Sequence, residues 1–99
     1  MSDLPEFDDK IPFHKVNSFA MQIFGDKLVK LRTYEDGHFR VIFQKSLFVL
    51  TEGNTEPTKS QWSTLKKRMK RVKRNVFIFK NHGETAEDHY YLDFGFFHY

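Results

Sequence analysis

The chain has 99 residues, 16 of them Lys or Arg and 13 Asp or Glu, and it contains no cysteine. This length supports one modest hydrophobic core, and the lack of cysteine excludes disulfides, thiolate nucleophiles and cysteine-ligated zinc. No apolar run approaches the roughly 20 residues of a membrane span, and the acidic start SDLPEFDDK differs from a signal peptide. We therefore expect a soluble, intracellular protein with no membrane partner.

The beginning of the chain is acidic and contains two prolines, with isolated apolar residues between them. Such a composition rarely forms regular structure. We predict that residues 1–15 form a mobile acidic arm and that residues 16–99 form a single globular domain. Residues 19–24 (FAMQIF) then alternate in hydrophobicity before a Gly-Asp pair, which predicts a short first strand.

A β-hairpin is predicted next, because the pair Asp36-Gly37 lies between two runs of β-forming residues, 28–34 and 39–50. If these two residues form the turn, Tyr34 faces Phe39 across the hairpin. One face of the hairpin then carries Lys30, Arg32, Tyr34, Phe39, Val41 and Phe43. A slip of one residue would exchange the faces. Residues 47–50 are predicted to extend or follow this strand after a break.

The segment 59–74, KSQWSTLKKRMKRVKR, contains eight Lys or Arg and no acid. Thr58 and Gln61 have the spacing of a capping box, which predicts the start of a helix. An apolar stripe follows at helical period, formed by Trp62, Leu65, Met69 and Val72. We predict a helix from Thr58 to Arg74 that packs by this stripe, followed by two more strands at 76–80 and 89–99.

The positive charge is concentrated in this helix, because the other eight cations share the chain with all thirteen acids. Cations that lack acidic neighbours on a helix repel one another, so the segment favours an anionic partner. Alternatively, acidic side chains of the loop around Glu84, Glu87 and Asp88, or of the acidic arm, could cover the helix and neutralise its charge. The helical residues expected to contact nucleic acid are Lys66, Lys67, Lys70, Arg71, Lys73 and Arg74.

The hairpin face that carries Lys30 and Arg32 is a second candidate site, because it also carries the rings of Tyr34 and Phe39. Cations for phosphates and flat rings for unstacked bases suit single-stranded nucleic acid. The alternative is that the rings belong to the core and the cations lie at its rim. No paired histidine spacing, glycine-rich phosphate loop or nucleophile motif is present, so we expect no metal, no cofactor and no catalysis.

The order of hairpin, polar loop and capped helix, with Thr58, Gln61, Trp62, Leu65 and Lys66 at the helix start, resembles the positive cofactor four family of single-stranded-DNA-binding transcriptional coactivators. The resemblance covers roughly residues 26–74. It implies an antiparallel meander before the helix, a homodimer, and unpaired DNA held on the basic and aromatic strand surface. On this chain that surface would be Lys30, Arg32, Tyr34 and Phe39.

These patterns together predict an α+β fold: an antiparallel sheet of about five strands with one basic amphipathic helix packed on one face. The predicted function is that of a small, non-enzymatic nucleic-acid-binding protein, which binds single-stranded DNA in transcription or replication control. The alternative is a protein-interaction module or inhibitor that docks its basic helix on an acidic protein surface. Phosphate binding should weaken steeply with salt, whereas docking with an apolar centre should be less sensitive.

Overall fold

The computed structural model describes residues 7–98, so the predictions for residues 1–6 and for Tyr99 lie outside the described part. It contains two helices and four strands, in the order α1 (Phe13–Phe24), β1 (Leu28–Thr33), β2 (Phe39–Phe43), α2 (Lys59–Val72), β3 (Val76–Glu84) and β4 (Tyr90–Phe96). The strands form one antiparallel sheet in the order β1-β2-β4-β3. The α+β class is confirmed, with four strands in place of about five and two helices in place of one.

The segment 19–24 is the second half of helix α1, so the prediction of a strand in this segment is wrong. The helix begins after Pro12, whose carbonyl oxygen accepts a hydrogen bond from the Lys15 amide at 3.0 Å. Its buried residues recur every three or four positions: Val16, Phe19, Ala20, Ile23 and Phe24. This spacing extends beyond the six residues that suggested a strand, and it buries one side of a helix on the sheet. Gly25 ends α1 with φ +57°, a conformation that favours glycine.

The β1–β2 hairpin has a three-residue loop, and its predicted register is wrong by one residue. The Tyr34 amide donates to the His38 carbonyl at 3.0 Å, and Gly37 closes the loop with φ +91°. Thr33 therefore faces Phe39, and Arg32 faces Arg40. Because side chains alternate along a strand, this shift turns Phe39 toward the core and leaves Tyr34 on the opposite face.

The core lies between the two helices and one face of the sheet. Strands β2 and β4 supply alternate residues to it: Phe39, Val41, Phe43, Tyr90, Leu92, Phe94 and Phe96. Helix α2 supplies Trp62, Leu65 and Met69, which confirms three positions of its predicted stripe. Val72, the last residue of α2, is 44% exposed. No helix within residues 7–98 combines the length and hydrophobicity needed to cross a bilayer.

The loop between β2 and α2 contains a short 3-10 turn, Lys45–Leu47, and then no regular structure, so the strand predicted at 47–50 is absent. It is nevertheless held in place. The Phe48 ring packs on Trp62 with centroids 4.9 Å apart, and the Gln61 side-chain amide donates to the Val49 carbonyl at 2.7 Å. The loop therefore covers one end of the core without joining the sheet.

Both edge strands of the sheet are irregular. The register of β1 against β2 shifts between Leu28 and Lys30, and the register of β3 against β4 shifts between Ile78 and His82. Each shift is a β-bulge or similar irregularity, which bends the strand and interrupts its ladder. Strand β3 continues through the bulge and is four residues longer than the predicted 76–80 segment.

Candidate nucleic-acid interface

Helix α2 begins with the predicted capping box. The Thr58 hydroxyl accepts from the Gln61 amide at 3.2 Å, and the Gln61 side chain accepts from the Thr58 amide at 2.9 Å. The helix ends at Val72, two residues before the predicted end, because Lys73 is already extended. Its last turn carries Lys70 and Arg71, whose charge is favourable beside the C-terminal carbonyls. Local signals thus position this cationic element.

The cations of α2 lie on different sides of the helix. The Lys66 ammonium is 3.5 Å from the His82 ring on β3, whereas the Arg68 guanidinium donates to the Gln22 carbonyl on α1 at 3.2 Å. Between these flanks, Lys67, Lys70 and Arg71 are exposed to solvent. Beyond the helix, Arg74 is exposed and Lys73 is half-buried. The six predicted contact residues 66, 67, 70, 71, 73 and 74 therefore lie in the C-terminal half of α2 and just after its end, but not all on one side of the helix.

Within residues 7–98, no carboxylate forms an ion pair with α2. The loop acids that could have covered the helix bind Lys45 instead, with Glu84 at 2.8 Å and Asp88 at 2.6 Å. These hydrogen bonds raise the pKa of Lys45 above its ordinary value. The Asp8 amide donates to the Phe96 carbonyl, which places this part of the predicted arm at the end of β4. The described part of the chain thus leaves the charge of α2 uncompensated.

Lys66 differs from the other helix cations because it is partly buried. Burial lowers its pKa below the ordinary value, and the charge of Lys70 lowers it further. The pKa of His82 beside it is also lowered, first by burial and then by Lys66. A bound anion would oppose both effects on Lys66, because an opposite charge favours the protonated amine.

The outer face of the sheet, which faces away from the helices, carries Lys30, Arg32 and Tyr34. Arg40 lies directly opposite Arg32 and was not predicted as a surface residue of this face. Its guanidinium donates to Asp93 at 2.8 and 3.1 Å and stacks on Tyr91, 4.2 Å from the ring centroid. The hydrogen bonds that Arg40 donates to Asp93 raise the pKa of Arg40. Cross-strand pairs counted outward from a three-residue loop place Arg40 opposite Arg32 on this face.

Tyr34 and Phe39, predicted to share a surface, are on opposite faces of the sheet. Tyr34 is 38% exposed, and its ring stacks on His38 with centroids 4.3 Å apart. Phe39 is 7% exposed and packs on Phe94 in the core. The predicted surface position of Phe39 is therefore wrong, and the alternative that this ring belongs to the core is the observed one.

An aromatic cluster covers the other half of the outer face. The buried Phe7 ring packs on Phe77, Phe79 and Phe97, with centroid separations between 5.6 and 6.3 Å. Gly95 on β4 leaves the space that this ring occupies. The open part of the outer face is consequently the part formed by β1, β2 and Tyr91.

The predicted binding residues thus form two separate surfaces. Helix α2 packs on the core face of the sheet, whereas Lys30, Arg32 and Tyr34 lie on the outer face. Among residues 7–98, no group of three or more histidine, aspartate or glutamate side chains is arranged to hold a metal ion. The arrangement offers exposed cations on both surfaces and a partly exposed ring on the outer face.

Comparison of the chain with protein-family models, curated proteins and solved structures found no match. The resemblance to positive cofactor four proteins thus stays a prediction. In this chain a two-stranded hairpin precedes the capped helix, and two further strands follow it.

Proposed function

We propose that this protein binds nucleic acid without catalysing a reaction, and that the C-terminal half of α2 is its main phosphate-binding surface. The observation that carries the proposal is the absence of any carboxylate partner for the cations of α2 within residues 7–98. A surface helix that only maintains solubility commonly mixes charges of both signs. Here eight cations in the segment 59–74 repel one another, and a polyanion would relieve that repulsion.

The dimensions of α2 suit a phosphate backbone. Its 14 residues correspond to about 21 Å of helix, a length over which duplex DNA carries roughly 12 charges. The exposed Lys67, Lys70 and Arg71 extend on long flexible stems and can follow such a charge array without reading base sequence. We expect binding that depends strongly on salt and weakly on sequence.

Single-stranded DNA is the ligand form that we propose, because a flexible strand could contact both surfaces. Tyr34 lies beside the cations of β1 and is 38% exposed, and a base would stack on the ring face that His38 does not cover. Duplex DNA has a persistence length of about 50 nm and would contact α2 or the outer face, but not both at once. A role in transcription or replication control, and a homodimeric state, complete the proposal.

The proposal is tested by fluorescence anisotropy with labelled single-stranded and duplex DNA and RNA of equal length, at two salt concentrations. We expect the variant Lys67→Glu/Lys70→Glu/Arg71→Glu/Arg74→Glu to remain folded by circular dichroism and to lose binding. Each lost phosphate contact should reduce the slope of log affinity against log salt by roughly one. The control Lys10→Glu/Lys15→Glu changes exposed cations outside α2. Unchanged affinity in the folded quadruple variant would remove α2 from the interface.

A further inference from the structure

A groove of about 320 Å³ lies between helix α2 and the loop that precedes it. The loop forms an apolar wall with Leu47, Phe48 and Val49, and α2 contributes Leu65 and Arg68. Val49 is 84% exposed, although valine is usually buried. The groove therefore offers an apolar surface at the N-terminal half of α2, away from the proposed phosphate contacts at the other end.

The exposure of Val49 does not result from a loose loop. The Val49 carbonyl accepts the hydrogen bond from Gln61, and the preceding Phe48 ring packs against Trp62 and Tyr90. Both sides of the groove are thus anchored to the core, so its shape is largely formed before any partner arrives. A preformed apolar groove reduces the ordering cost of binding.

The groove continues toward α1 along the flank of α2. Arg68 lines the groove and hydrogen-bonds to the Gln22 carbonyl, and Gln22 in turn lines a second cavity of about 420 Å³. That cavity is also bordered by Phe19 and Val72, by the hydroxyl-bearing Ser18, and by the cations Lys15 and Lys73. Leu65 and Val72 are seven residues apart, about 10 Å along the helix. The flank thus combines an apolar groove beside Arg68 with a cavity at Val72 whose lining is partly apolar and partly cationic.

We propose that this flank of α2 binds an acidic, amphipathic segment of another protein. Apolar side chains two helical turns apart on that segment would occupy the sites at Leu65 and Val72, as in other helix-in-groove complexes. Its carboxylates would pair with Arg68 and Lys73, which no carboxylate within residues 7–98 neutralises. This interaction shares Lys73 with the residues predicted to contact nucleic acid, but the groove and Arg68 are not among those residues.

The charge of the flank decides between possible occupants. A nucleic-acid backbone would satisfy the cations but would leave the exposed Val49 side chain and the apolar groove beside it unfilled. A second copy of the same flank would bring Arg68 and Lys73 of both chains together, and like charges disfavour such a contact. An acidic peptide with apolar anchors is complementary to both features.

A phage-displayed library of random 16-residue peptides, selected on the full chain, tests the proposal. We expect the enriched peptides to combine large apolar residues at positions i and i+7 with several Asp or Glu. The labelled consensus peptide should bind Val49→Asp at least about 10-fold more weakly than the wild type, because the new carboxylate repels the peptide in the groove. Val29→Asp, at an exposed valine of β1, should bind within about twofold of the wild type. Circular dichroism confirms folding of both variants.

Three outcomes would overturn the proposal: no enrichment over uncoated wells, a consensus without acidic residues, or equal binding to Val49→Asp. Self-association that Val49→Asp abolishes, measured by sedimentation, would assign the groove to a second copy and would also overturn it. The Lys67→Glu/Arg71→Glu/Arg74→Glu variant separates the two proposals. It should keep most of the peptide affinity even where nucleic-acid binding is lost, so failure of one proposal is read independently of the other.

Discussion

The ring of Phe7 lies so close to Gly95 that a Cβ at position 95 would come within 2.5 Å of it. A Cβ at Gly37 would lie 3.2 Å from the Phe7 Cβ, so one glycine in the β1–β2 loop and one on β4 leave room for a single aromatic residue. Gly95 has a negative φ, which any residue can adopt. Glycine is therefore needed at this position only because a side chain would collide with the Phe7 ring. This contact attaches the segment before α1 to the outer face of the sheet.

We expect Gly95→Ala to destabilise the domain by about 1–3 kcal/mol, because its methyl group displaces the Phe7 ring. Phe7→Ala removes the same packing from the other side. Urea unfolding of both single variants and of the double variant measures the coupling. The two effects should be strongly non-additive, since once the ring is gone the methyl group has space. Additive losses would mean that Phe7 does not occupy this position in solution.

Phe39→Ala should cost about 3–5 kcal/mol of unfolding free energy, because the residue is buried among the rings of β4. Thermal or urea unfolding measures the loss. Leu50→Ala serves as a control at a partly exposed apolar position outside the sheet. A Phe39→Ala variant as stable as the wild type would contradict the burial of Phe39. It would favour the register of a two-residue turn, in which this ring lies on an exposed face.

Tyr34→Ala should weaken single-strand binding by about 1–3 kcal/mol, if the exposed ring stacks on a base as proposed. Duplex binding should change little, because paired bases are already stacked. Tyr34→Phe keeps the ring and should keep the affinity, which separates stacking from loss of the hydroxyl group. Anisotropy with both DNA forms provides the comparison. Equal single-strand affinity in Tyr34→Ala would confine the interface to α2.

The lowered pKa of His82, whose ring stacks on Trp62, should make stability depend on pH. The ring centroids are 4.0 Å apart, and burial followed by the charge of Lys66 lowers the pKa of His82 below 6.5. The folded state thus binds fewer protons at His82 than the unfolded state does. The stability contributed by neutral His82 is therefore complete above about pH 6.5. It is lost as pH falls through the lowered folded-state pKa. We expect the free energy of unfolding to decrease from pH 7 to pH 5, and less so in His82→Gln.

Trp62 is the single tryptophan of the chain, so its fluorescence reports this titration directly. Protonation of the stacked imidazole should change the emission with a midpoint below 6.5, and His82→Gln should remove that transition. A midpoint at or above 6.5, or an unchanged transition in His82→Gln, would contradict the assignment. Lys66→Gln should raise the midpoint toward the ordinary value, because it removes the nearby positive charge.

Helix α2 was predictable because local chemistry determines it. The capping box at Thr58 and the spacing of Trp62, Leu65 and Met69 depend on residues within one turn or two. Helix α1 lacked such a signal at its start, since Pro12 provides no side-chain hydrogen bond. The full spacing from Val16 to Phe24 would have indicated a helix, whereas residues 19–24 alone fit either structure.

The outer-face site could be predicted only in part, because hairpin register depends on loop length. Asp36-Gly37 marks the position of the turn correctly, but the same pair occurs in two-residue and three-residue loops. One additional loop residue moved Phe39 into the core and placed Arg40 opposite Arg32. The pairing of Arg40 with Asp93 joins positions 53 residues apart in the sequence, and no local pattern indicates such a contact.

The bulges in β1 and β3 affect how copies of this chain can meet. A regular edge strand is a template on which another sheet can grow through main-chain hydrogen bonds, and this growth leads to fibrils. Here both open edges of the sheet are interrupted, between Leu28 and Lys30 and between Ile78 and His82. We therefore expect the interruptions to disfavour edge-to-edge polymerisation of this highly aromatic chain at high concentration.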